Sequence, residues 1–340
     1  MMEFDGEEDA LEATFTPVAA LTNFGVQAND IKKLKEAGFM TIQAVMMCSR
    51  RKLALIKGFS DAKVEKVYDA ASKVDSDLLA FHTAADLQAR RDSIIVRVTT
   101  GCDELNDILG GGIESSSITE LYGEFRTGKS QLSLTVAVAS FLPREVGGGE
   151  GRAMYLDTEG SFRPERLKPI AARFDLDADF VVSNVLYARV YNCDHLDTML
   201  VEAGSIFAEA EATGGPFRTL IVDSIIGVYR QEFIGRGELA ERQQRMGCVL
   251  QKLKCLAEQF NLAVLLTNQV TADPGAGAAL VADAKKPVGG HILAHASDTR
   301  LYLRKGKGEQ RVAKVVDSPL VGERDAVFSI TNGGITAAQD

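Results

Sequence analysis

The chain has 340 residues, of which 46% are hydrophobic and 25% are charged, and its formal net charge at pH 7 is -9. This composition is that of an ordinary globular protein, and the length suits one large domain with a smaller companion. The net charge argues against a protein that holds nucleic acid by its overall charge alone, but local basic surfaces remain compatible with it. The sequence has no apolar run of membrane-spanning length and no basic, apolar signal segment, so we expect an intracellular protein without a membrane association.

Two regions precede the main part of the chain. Residues 1–18 are rich in acidic side chains and lack hydrophobic periodicity, which predicts a disordered tail. Residues 19–78 have helical periodicity, with Gly38 as a helix stop and Ser60 as a helix cap. We therefore expect a small all-α domain behind the tail.

A turn in this small domain, with the sequence IKGFS at residues 56–60, resembles the hairpin of helix-hairpin-helix modules. A tight turn at Lys57 and Gly58 would offer backbone N–H groups to a DNA phosphate, and nearby lysines and arginines would add positive charge. The alternative is a solvated basic face on a domain that only packs against its neighbour.

Residues 79–97 are predicted to be a linker and residues 98–340 to form the core domain. In the core, strand-like apolar runs alternate with helical runs. The predicted strands are 117–122, 153–157, 219–223, 263–267, 300–303, 312–316 and 327–330, and the predicted helices are 130–141, 164–174, 195–212 and 241–260. This alternation predicts an α/β fold with a mostly parallel sheet, covered on both faces, that binds its ligand at the loops following the strands.

One of those loops, GEFRTGKS at residues 123–130, fits the phosphate-binding pattern G-x-x-x-x-G-K-[ST]. It lies between a predicted strand and a predicted helix, where backbone N–H groups and the helix dipole favour an anion such as a triphosphate. Lys129 would contact the outer phosphates, and the Ser130 hydroxyl would join the shell of a Mg²⁺ ion. The alternative is a glycine turn that merely precedes a helix.

Three further predicted strands end in side chains that a nucleotide site needs. Asp223 ends an apolar run, the pattern that places a carboxylate beside the water shell of Mg²⁺. Glu159 would orient and activate the attacking water, and Gln269 would hydrogen-bond a γ-phosphate and report its loss. Each signal alone is weak, because such residues also cap strands for structural reasons. Together with the phosphate loop they predict an ATPase that uses ATP and Mg²⁺.

Longer strings extend over nearly the whole chain, among them GGGIESSSITELYGEFRTGKSQ, YLDTEGSFRPERL, LIVDS, TNQVTADPGA and RLYLRKGKGE. Through them the sequence resembles the eukaryotic RecA-like strand-exchange recombinases. The strings GRGELAERQQ, TADPGA and GGHILAHAS are more similar to the meiotic branch, the disrupted-meiotic-cDNA recombinases, than to the mitotic branch. The resemblance implies a RecA-like P-loop ATPase core behind a helix-hairpin-helix-type N-terminal domain.

That resemblance also implies a function. It points to a nuclear, DNA-dependent ATPase that forms helical filaments on single-stranded DNA, pairs it with homologous double-stranded DNA and exchanges strands in meiotic recombination. Such a protein associates with itself and works with recombination mediators and accessory proteins. Because head-to-tail contacts form either rings or filaments, the resting assembly stays open.

Residue by residue, the resemblance assigns catalytic roles to Glu159, Lys129 and Gln269, and magnesium-side roles to Ser130 and Asp223. Other matched positions bind the rest of the nucleotide: an arginine packs on adenine, and two residues face ATP from the next subunit. The implied ATP-binding set is Gly123, Glu124, Phe125, Arg126, Thr127, Gly128, Lys129, Ser130, Arg166 (adenine), Asp223, and His295 and Asp317 (next subunit).

Two loops would hold DNA along the filament axis, the first at about residues 231–242 and the second at about 270–289. The second loop is long and rich in Gly and Ala, which is typical of a functional loop. It has no aromatic residue, so we expect phosphate contacts and apolar wedging between bases. The implied DNA-binding residues are Lys57, Gly58, Arg236, Arg242, Val270, Thr271, Pro274, Gly275, Lys285, Lys286 and Gly289.

The linker contains FHTA at residues 81–84, which matches the family's polymerisation motif. In that motif an extended linker adds to the sheet edge of a neighbour and buries Phe81 and Ala84 in apolar pockets. The predicted pocket residues are Met154, Leu156, Ala188 and Val190.

Three residues depart from the family's pattern. Gly322 and Ala284 stand where the family usually has proline, and Leu280 stands where an aromatic residue is common. These departures concern loop rigidity and the spacing of bound DNA.

Two other functions are compatible with the same core. A recombination mediator would act as a regulatory binding partner, and a ring-forming helicase would unwind duplexes. The complete set of Glu159, Asp223 and Gln269, together with both loops and the FHTA linker, favours the recombinase.

Overall fold

The computed structural model describes residues 15–233, 235–272 and 285–338. The N-terminal part is a small helical domain with its own apolar core, which includes the fully buried Leu34 and Ile42. Gly38 follows the first helix at a φ of 88°, and Ser60 is the N-cap of the fourth, as the sequence predicts. The domain consists of a 3-10 helix (Val18–Phe24) and the helices α1 (Ala28–Glu36), α2 (Ile42–Met47), α3 (Arg50–Leu53) and α4 (Asp61–Val74).

This domain packs against the C-terminal end of a long core helix (Leu239–Phe260) through residues before its first helix and between α1 and α2. The ring of Phe15 makes an edge-to-face contact with Phe260 at 5.2 Å. Thr41, which pairs with Pro17 in an isolated bridge, donates its hydroxyl to Gln259 Oε1 at 3.0 Å. Residues 15–18 therefore belong to a packed interface, and the prediction of a disordered tail is wrong for them. The rest of that tail, residues 1–14, lies outside the described residues.

Most of the predicted linker, residues 79–97, is helical. Helix α5 (Ala84–Ile94) begins at the last residue of the FHTA motif. Thr83 and Asp86 form a reciprocal capping box, in which each side chain accepts the other residue's backbone N–H at 3.2 Å. The Thr83 hydroxyl also donates to Asp86, and these hydrogen bonds lower the pKa of that carboxyl. Local capping thus makes this exposed segment helical without help from core packing.

The rest of the chain forms a large sheet with helices on both faces. The strands are β1 (Arg97–Val98), β2 (Ile113–Glu114), β3 (Ser117–Gly123), β4 (Arg152–Asp157), β5 (Leu186–Arg189), β6 (Phe217–Asp223), β7 (Ala263–Asn268), β8 (Val270–Ala272), β9 (Lys285–Pro287), β10 (Thr299–Lys305), β11 (Gln310–Asp317), β12 (Asp325–Thr331) and β13 (Gly334–Ala337). The helices are α6 (Asp103–Ile108), α7 (Lys129–Ala139), α8 (Leu167–Arg173), α9 (Ala178–Asn184), α10 (Cys193–Ala212), α11 (Gly227–Glu232), α12 (Leu239–Phe260) and α13 (Gly290–Ala296).

The strands of the 9-stranded sheet lie in the order β13-β12-β11-β10-β3-β7-β6-β4-β5. Neighbouring strands are parallel from β10 to β5, and antiparallel from β10 to β13. Helices α6 to α9 bury one apolar core against the sheet, and α10 to α13 bury a second core on the other face. The α/β fold with a mostly parallel, doubly covered sheet is confirmed. The parallel strands β3, β4, β6 and β7 all end on the same side of the sheet, which places their following loops together.

Every predicted core strand is present, and the structure adds elements that the sequence pattern did not reveal. The edge strand β5 and the last strand β13 have only four residues each, too few for a clear periodicity. The helix predicted at 164–174 is divided into a 3-10 turn (Pro164–Arg166) and α8. In the described parts of the chain, no helix combines the length and the apolar character that crossing a bilayer requires.

The contact between the small domain and the core leads to a stability prediction. Thr41 is fully buried, and its hydroxyl both accepts the Ala44 N–H at 2.9 Å and donates to Gln259. Thr41→Val keeps the volume but removes both hydrogen bonds, so the free energy of unfolding in a denaturant titration should fall by about 2 kcal/mol.

The matched control is Ser49→Ala at the exposed cap of α3, where the side chain accepts the Lys52 N–H at 3.3 Å. This variant loses a single exposed hydrogen bond and should cost about 0.5–1 kcal/mol. Equal losses for the two variants would show that the bond from Thr41 to Gln259 adds nothing.

Candidate functional site

The phosphate-binding pattern forms the loop that the sequence predicts, between β3 and α7. Gly128 is the N-cap of α7 at a φ of 104°, a backbone conformation that glycine adopts without strain. Gly123 pairs with Leu303 on β10, and a Cβ there would lie only 2.2 Å from the Leu303 carbonyl oxygen. Thr127 is buried, and its hydroxyl donates a hydrogen bond to the Glu124 carbonyl at 2.9 Å. This bond joins two residues of the loop and stabilises its conformation. The loop is thus fixed by packing on the sheet.

The ammonium group of Lys129 lies within this loop. Its Nζ donates to the carbonyl oxygens of Gly123 at 2.9 Å and Glu124 at 2.8 Å. Burial lowers the pKa of Lys129, while the nearby carboxylates of Asp223 and Glu159 act in the opposite direction. A partly desolvated cation at a helix N-terminus is a strong attractor for an anion.

Asp223 ends β6 and is held from two sides. Its Oδ2 accepts the Tyr155 hydroxyl at 2.6 Å, and its Oδ1 accepts the hydroxyl of Thr267 on β7. Burial, together with the adjacent Asp223 charge, raises the pKa of Tyr155 well above its usual value, so the phenol stays protonated and donates. Each carboxylate oxygen keeps a lone-pair site for a further partner, such as a water of a metal shell.

Asp157 ends β4 directly opposite Asp223 and organises the loop that carries Glu159. Its fully buried carboxylate accepts the backbone N–H groups of Glu159 at 2.9 Å and Gly160 at 2.6 Å. Arg189 on β5 donates to the same carboxylate at 3.1 Å and supplies the opposite charge. The buried aspartate therefore fixes the backbone on which Glu159 stands.

The third strand end brings Gln269 to Glu159. The Glu159 Oε1 atom accepts the Gln269 Nε2–H at 2.7 Å and the hydroxyl of the buried Ser224 at 2.8 Å. The other end of the Gln269 amide accepts a hydrogen bond from Arg230 on α11. Two of the three predicted catalytic residues, Glu159 and Gln269, are thus in direct contact.

These groups surround a cavity of about 490 Å³, within the usual range for a ligand site. Ser130 and Asp223 offer oxygen ligands of the type that Mg²⁺ prefers, and Mg²⁺ commonly completes its shell with substrate phosphates and water. No group of three His, Cys, Asp or Glu side chains that could hold a metal by itself occurs among residues 15–233, 235–272 and 285–338. The donors present therefore fit a magnesium-bound nucleoside triphosphate. The cavity is lined by Gly123, Glu124, Phe125, Arg126, Thr127, Gly128, Lys129, Ser130, Gln131, Glu159, Ser161, Asp223, Ser224, Thr267, Gln269 and Val270.

Arg166, which the resemblance places on adenine, lies beside this cavity with its guanidinium already engaged. Its Nη1 donates to the carbonyl and side chain of Asn332 at 3.1 and 2.9 Å. Its Nη2 donates to Thr331 and to Gln131, which lines the cavity. The arginine therefore anchors the turn between β12 and β13 at the rim of the site, and adenine stacking stays a prediction.

The two predicted DNA loops begin close to the same cavity. The first is shorter than predicted, because α11 extends to Glu232 and α12 begins at Leu239. Arg242 therefore lies in a helix rather than in the loop, and it is partly buried. Arg236 belongs to a short 3-10 helix (Arg236–Glu238), and the structure describes its backbone alone.

The two ends of the second loop, β8 and β9, pair as short antiparallel strands. Thr271 pairs with Lys286, and Val270 pairs with Pro287. Gly289 follows at a φ of 109° as the N-cap of α13. The predicted contacts Pro274 and Gly275, and the departures Leu280 and Ala284, lie outside the described residues, as does the side chain of Lys285.

A comparison of the sequence with models of protein families matches residues 90–338 to the family described as Rad51. The chain belongs to the Rad51 family. It is 50% identical over 329 residues to the meiotic recombination protein DMC1 homolog B of Oryza sativa subsp. japonica, covering 97% of this chain and 93% of that relative. The meiotic recombination protein DMC1/LIM15 homologs of Mus musculus and Homo sapiens are each 48% identical, over 340 and 338 residues, covering 100% and 99% of this chain and 98% of each relative. The resemblance to the meiotic branch is confirmed.

The family resemblance predicts that two residues of this Rad51-family chain face the ATP site of a neighbouring subunit. His295 is exposed on α13 and stacks on His291 with ring centroids 6.1 Å apart, and Asp317 is exposed at the end of β11. Neither of them lines the phosphate cavity of its own chain, as far as the described residues extend. Their role at a subunit boundary stays a prediction.

The predicted polymerisation residues of this Rad51-family member lie on different parts of the surface and core. Phe81 is fully exposed, with a relative exposure of 107%. Met154, Leu156 and Val190 are buried in the core beneath α10, with exposures of 3%, 1% and 0%, and their role as pocket residues stays a prediction. Ala188 is partly buried on β5, the edge strand of the sheet. The accessible part of the predicted docking surface is thus β5 with Ala188.

Several residues that build the site were not assigned roles from the sequence. Tyr155, Thr267 and Ser224 position the acidic side chains, and Arg230 contacts Gln269. Their polar side chains at or near strand ends are the only local signal, and such residues are common in any sheet. Their roles depend on the pairing of distant strands.

The bond from Tyr155 to Asp223 generates a prediction. Tyr155→Phe removes one donor from the carboxylate and loosens its orientation, which should cost about 1–1.5 kcal/mol. We expect the Mg²⁺ concentration for half-maximal ATP binding, measured by calorimetry, to rise roughly five- to tenfold.

Tyr187→Phe is the control for this measurement, because the Tyr187 hydroxyl makes a long 3.4 Å contact with the neighbouring carboxylate of Asp157, and phenylalanine keeps the ring that stacks on Phe162. Its Mg²⁺ dependence should match that of the unaltered protein. The same shift in both variants would mean that Tyr155 does not position Asp223.

Proposed function

We propose that this protein is an ATP-dependent recombinase that assembles as a helical filament on single-stranded DNA, pairs it with a homologous duplex and exchanges the strands. We place this activity in meiotic recombination in the nucleus, with mediators and accessory proteins as partners. The observation that supports the proposal most is that the bases of the two predicted DNA loops contact each other at the edge of the cavity. Arg230, which directly precedes the first loop, contacts Gln269, and Gln269 adjoins the second loop and lines the cavity. In an ATPase whose DNA loops begin beside its catalytic residues, the binding of DNA can affect the hydrolysis of ATP.

In the proposed ATPase step, Lys129 and the N–H groups at the start of α7 bind the outer phosphates. Glu159 orients the attacking water and takes its proton, and Gln269 contacts the γ-phosphate. Bound Mg²⁺ would neutralise charge on the phosphates, with Ser130 and Asp223 holding it directly or through water. Asp157 keeps the Glu159 loop in place throughout, because it binds backbone rather than substrate.

Proposed DNA contacts follow the two loops and the small domain. At the first loop, Arg236 and Arg242 contact DNA phosphates. At the second loop, Lys285 and Lys286 at the base of the hairpin do the same. Lys57 and Gly58 lie exposed on the N-terminal domain, with Gly58 at a φ of 85°, which is compatible with a phosphate-binding turn. Since these contacts read no base edges, homology is read by pairing between the strands.

We further propose that Phe81 of one subunit docks at β5 of the next. Phe81 is fully exposed, and β5 carries an unpaired strand edge with Leu186 and Tyr187 exposed at 40% and 42%. An exposed apolar side chain and an open sheet edge in one chain suit a head-to-tail contact, which runs on as a helix or closes as a ring.

Electron microscopy with single-stranded DNA tests the proposal, with and without Mg²⁺-ATP. Extended filaments that require ATP are expected. Closed hexamers that unwind duplexes would favour the helicase, and the lack of any DNA-bound polymer would favour the mediator.

Lys129→Ala should weaken ATP binding about 10- to 100-fold, because a charged hydrogen-bond donor to phosphate is worth about 1.5–3 kcal/mol. Because ATP binding is weakened, this variant should form no nucleotide-dependent filaments. A filter assay measures the binding, with Lys168→Ala as control, since Lys168 makes only an exposed ion pair with Asp179. Normal ATP binding by the Lys129 variant would refute this role of the ammonium group.

Phe81→Glu should leave a folded, ATP-binding protein that does not polymerise, because a charge is costly to bury in an apolar contact. Light scattering measures polymer size. Leu55→Glu, at a residue 80% exposed on the N-terminal domain, provides the control and should polymerise normally. Long polymers of the Phe81 variant would exclude docking through this residue.

A further inference from the structure

An arginine on the edge strand of the sheet reaches the loop that carries Glu159. Arg189 is the last residue of β5 and lies opposite Asp157 in the strand register. Its Nη1 donates to both the carbonyl oxygen and the carboxylate of Asp157, each at 3.1 Å. The Asp157 side chain is fully buried and the Arg189 side chain is 29% exposed, so the ion pair extends from the surface into the sheet. The guanidinium therefore compensates a charge that water does not reach.

The guanidinium also lies against the loop itself. Gly160 has a φ of 76°, and a Cβ at this position would be 3.2–3.4 Å from three atoms of the Arg189 guanidinium. The glycine thus leaves room for the guanidinium to approach the backbone. The ring of the exposed Tyr191 lies over the guanidinium, with its centroid 5.6 Å from the central carbon. Carboxylate, loop backbone and aromatic ring together hold Arg189 in one place.

The Asp157 carboxylate in turn determines the path of the loop after β4. One of its oxygens accepts the N–H groups of Glu159 and Gly160, and the other accepts the N–H group of Phe162 at 3.1 Å. A carboxylate accepts at both oxygens at once when it is ionised, whereas its protonated form carries a hydroxyl that donates. The positive charge of Arg189 stabilises the ionised form on which these backbone contacts depend.

We propose that Arg189 is a positioning residue for ATP hydrolysis. It holds the Asp157 carboxylate, and through it the backbone of Glu159, in the place from which Glu159 reaches the attacking water. Such support matters because a misplacement of about 1 Å in a catalytic group can reduce a rate about 100-fold. As far as the described residues extend, Arg189 does not line the phosphate cavity, so it acts through Asp157. The inference rests on the proposed ATPase step and names a residue outside the cavity that sets its rate.

The first measurement is ATP hydrolysis by the full chain with single-stranded DNA. Arg189→Gln removes the charge and the fork of donors, so kcat should fall roughly 10- to 100-fold. The dissociation constant for ATP should stay within about twofold, because the phosphate loop is untouched. Arg189→Lys keeps the charge without the planar group and should give an intermediate kcat. A parallel loss of ATP binding would indicate damage to the whole site and would contradict the positioning role.

The second measurement does not depend on activity. Amide hydrogen exchange of the nucleotide-free protein, followed by mass spectrometry, reports the N–H groups of Glu159 and Gly160. Their exchange should become roughly tenfold faster in Arg189→Gln, because their acceptor is held less firmly. Exchange in α7 and α12 should match that of the unaltered protein, which also shows that the variant is folded. If Arg189→Gln does not fold, Arg189→Lys carries both measurements, and values equal to those of the unaltered protein would then refute the role.

Arg152→Gln is the matched control. Arg152 is also partly buried and lies at the opposite end of the neighbouring strand β4. It makes contacts of the same kinds, because its Nε donates to the Gly215 carbonyl at 2.9 Å and its guanidinium lies over the Phe217 ring at 4.5 Å. This variant should keep the kcat of the unaltered protein. A fall as large as that of Arg189→Gln would assign the effect to general loosening of the sheet, and would overturn the inference.

Failure of the inference and failure of the proposed function give different results. If the unaltered protein hydrolyses ATP, but Arg189→Gln folds and keeps both its kcat and the slow exchange of the loop, only the role of Arg189 is refuted. If the unaltered protein hydrolyses no ATP with or without DNA, the proposed function fails, and the positioning role in hydrolysis fails with it.

Discussion

Two buried carboxylates on adjacent strands determine the shape of the site. Asp157 and Asp223 lie opposite each other in the register of β4 and β6, and both are almost fully buried. Neighbouring negative charges in a poorly solvated place are costly unless each has its own donors. Arg189 and backbone N–H groups satisfy Asp157, while Tyr155 and Thr267 satisfy Asp223. The loop that carries Glu159 and the orientation of the magnesium-side aspartate both follow from this division of donors.

At the end of β4, one acidic residue has a structural role and the next acidic residue has a chemical role. Asp157 uses its carboxylate inward, on backbone and on Arg189, so it has little capacity left for a substrate. Glu159, two residues later, is exposed at the cavity, and its carboxylate contacts the side chains of Gln269 and Ser224 instead of the backbone. Sheet geometry requires this order, because the residue that ends a buried strand is enclosed by its neighbours, and the residues that follow emerge at the ligand face.

The sequence was sufficient for the parts of the site that depend on local pattern. The phosphate loop, Asp223, Glu159 and Gln269 are each identified by a short string next to a predicted strand, and the parallel sheet brings them together as expected. Contacts between distant segments were not accessible: Tyr155 and Asp223 are 68 positions apart, and their hydrogen bond depends on the exact strand register. Arg230 is equally hidden, since its partner is 39 positions away.

Two further features follow from short patterns in the sequence and from the position of a strand. Helix α5 begins with Thr83 and Asp86 at capping-box spacing, which indicates a helix start, but the family's polymerisation motif suggested an extended linker instead. The burial of Met154 and Leu156 also follows from their place on β4, a strand with neighbours on both sides and a helix above. The capping pattern therefore explains the start of the helix, and the position of β4 in the sheet explains the burial of these side chains.

The close approach of Gly123 to Leu303 has a consequence for reading genetic variants. Any side chain at Gly123 would collide with the backbone of β10 before a nucleotide arrives, because a Cβ would lie 2.2 Å from a carbonyl oxygen. An allele that changes Gly123 is therefore expected to lower the amount of folded protein, whereas an allele at Lys129 is expected to leave a folded product without its nucleotide contact. The same loss-of-function phenotype then has two molecular origins, and protein abundance in the mutant tissue distinguishes them.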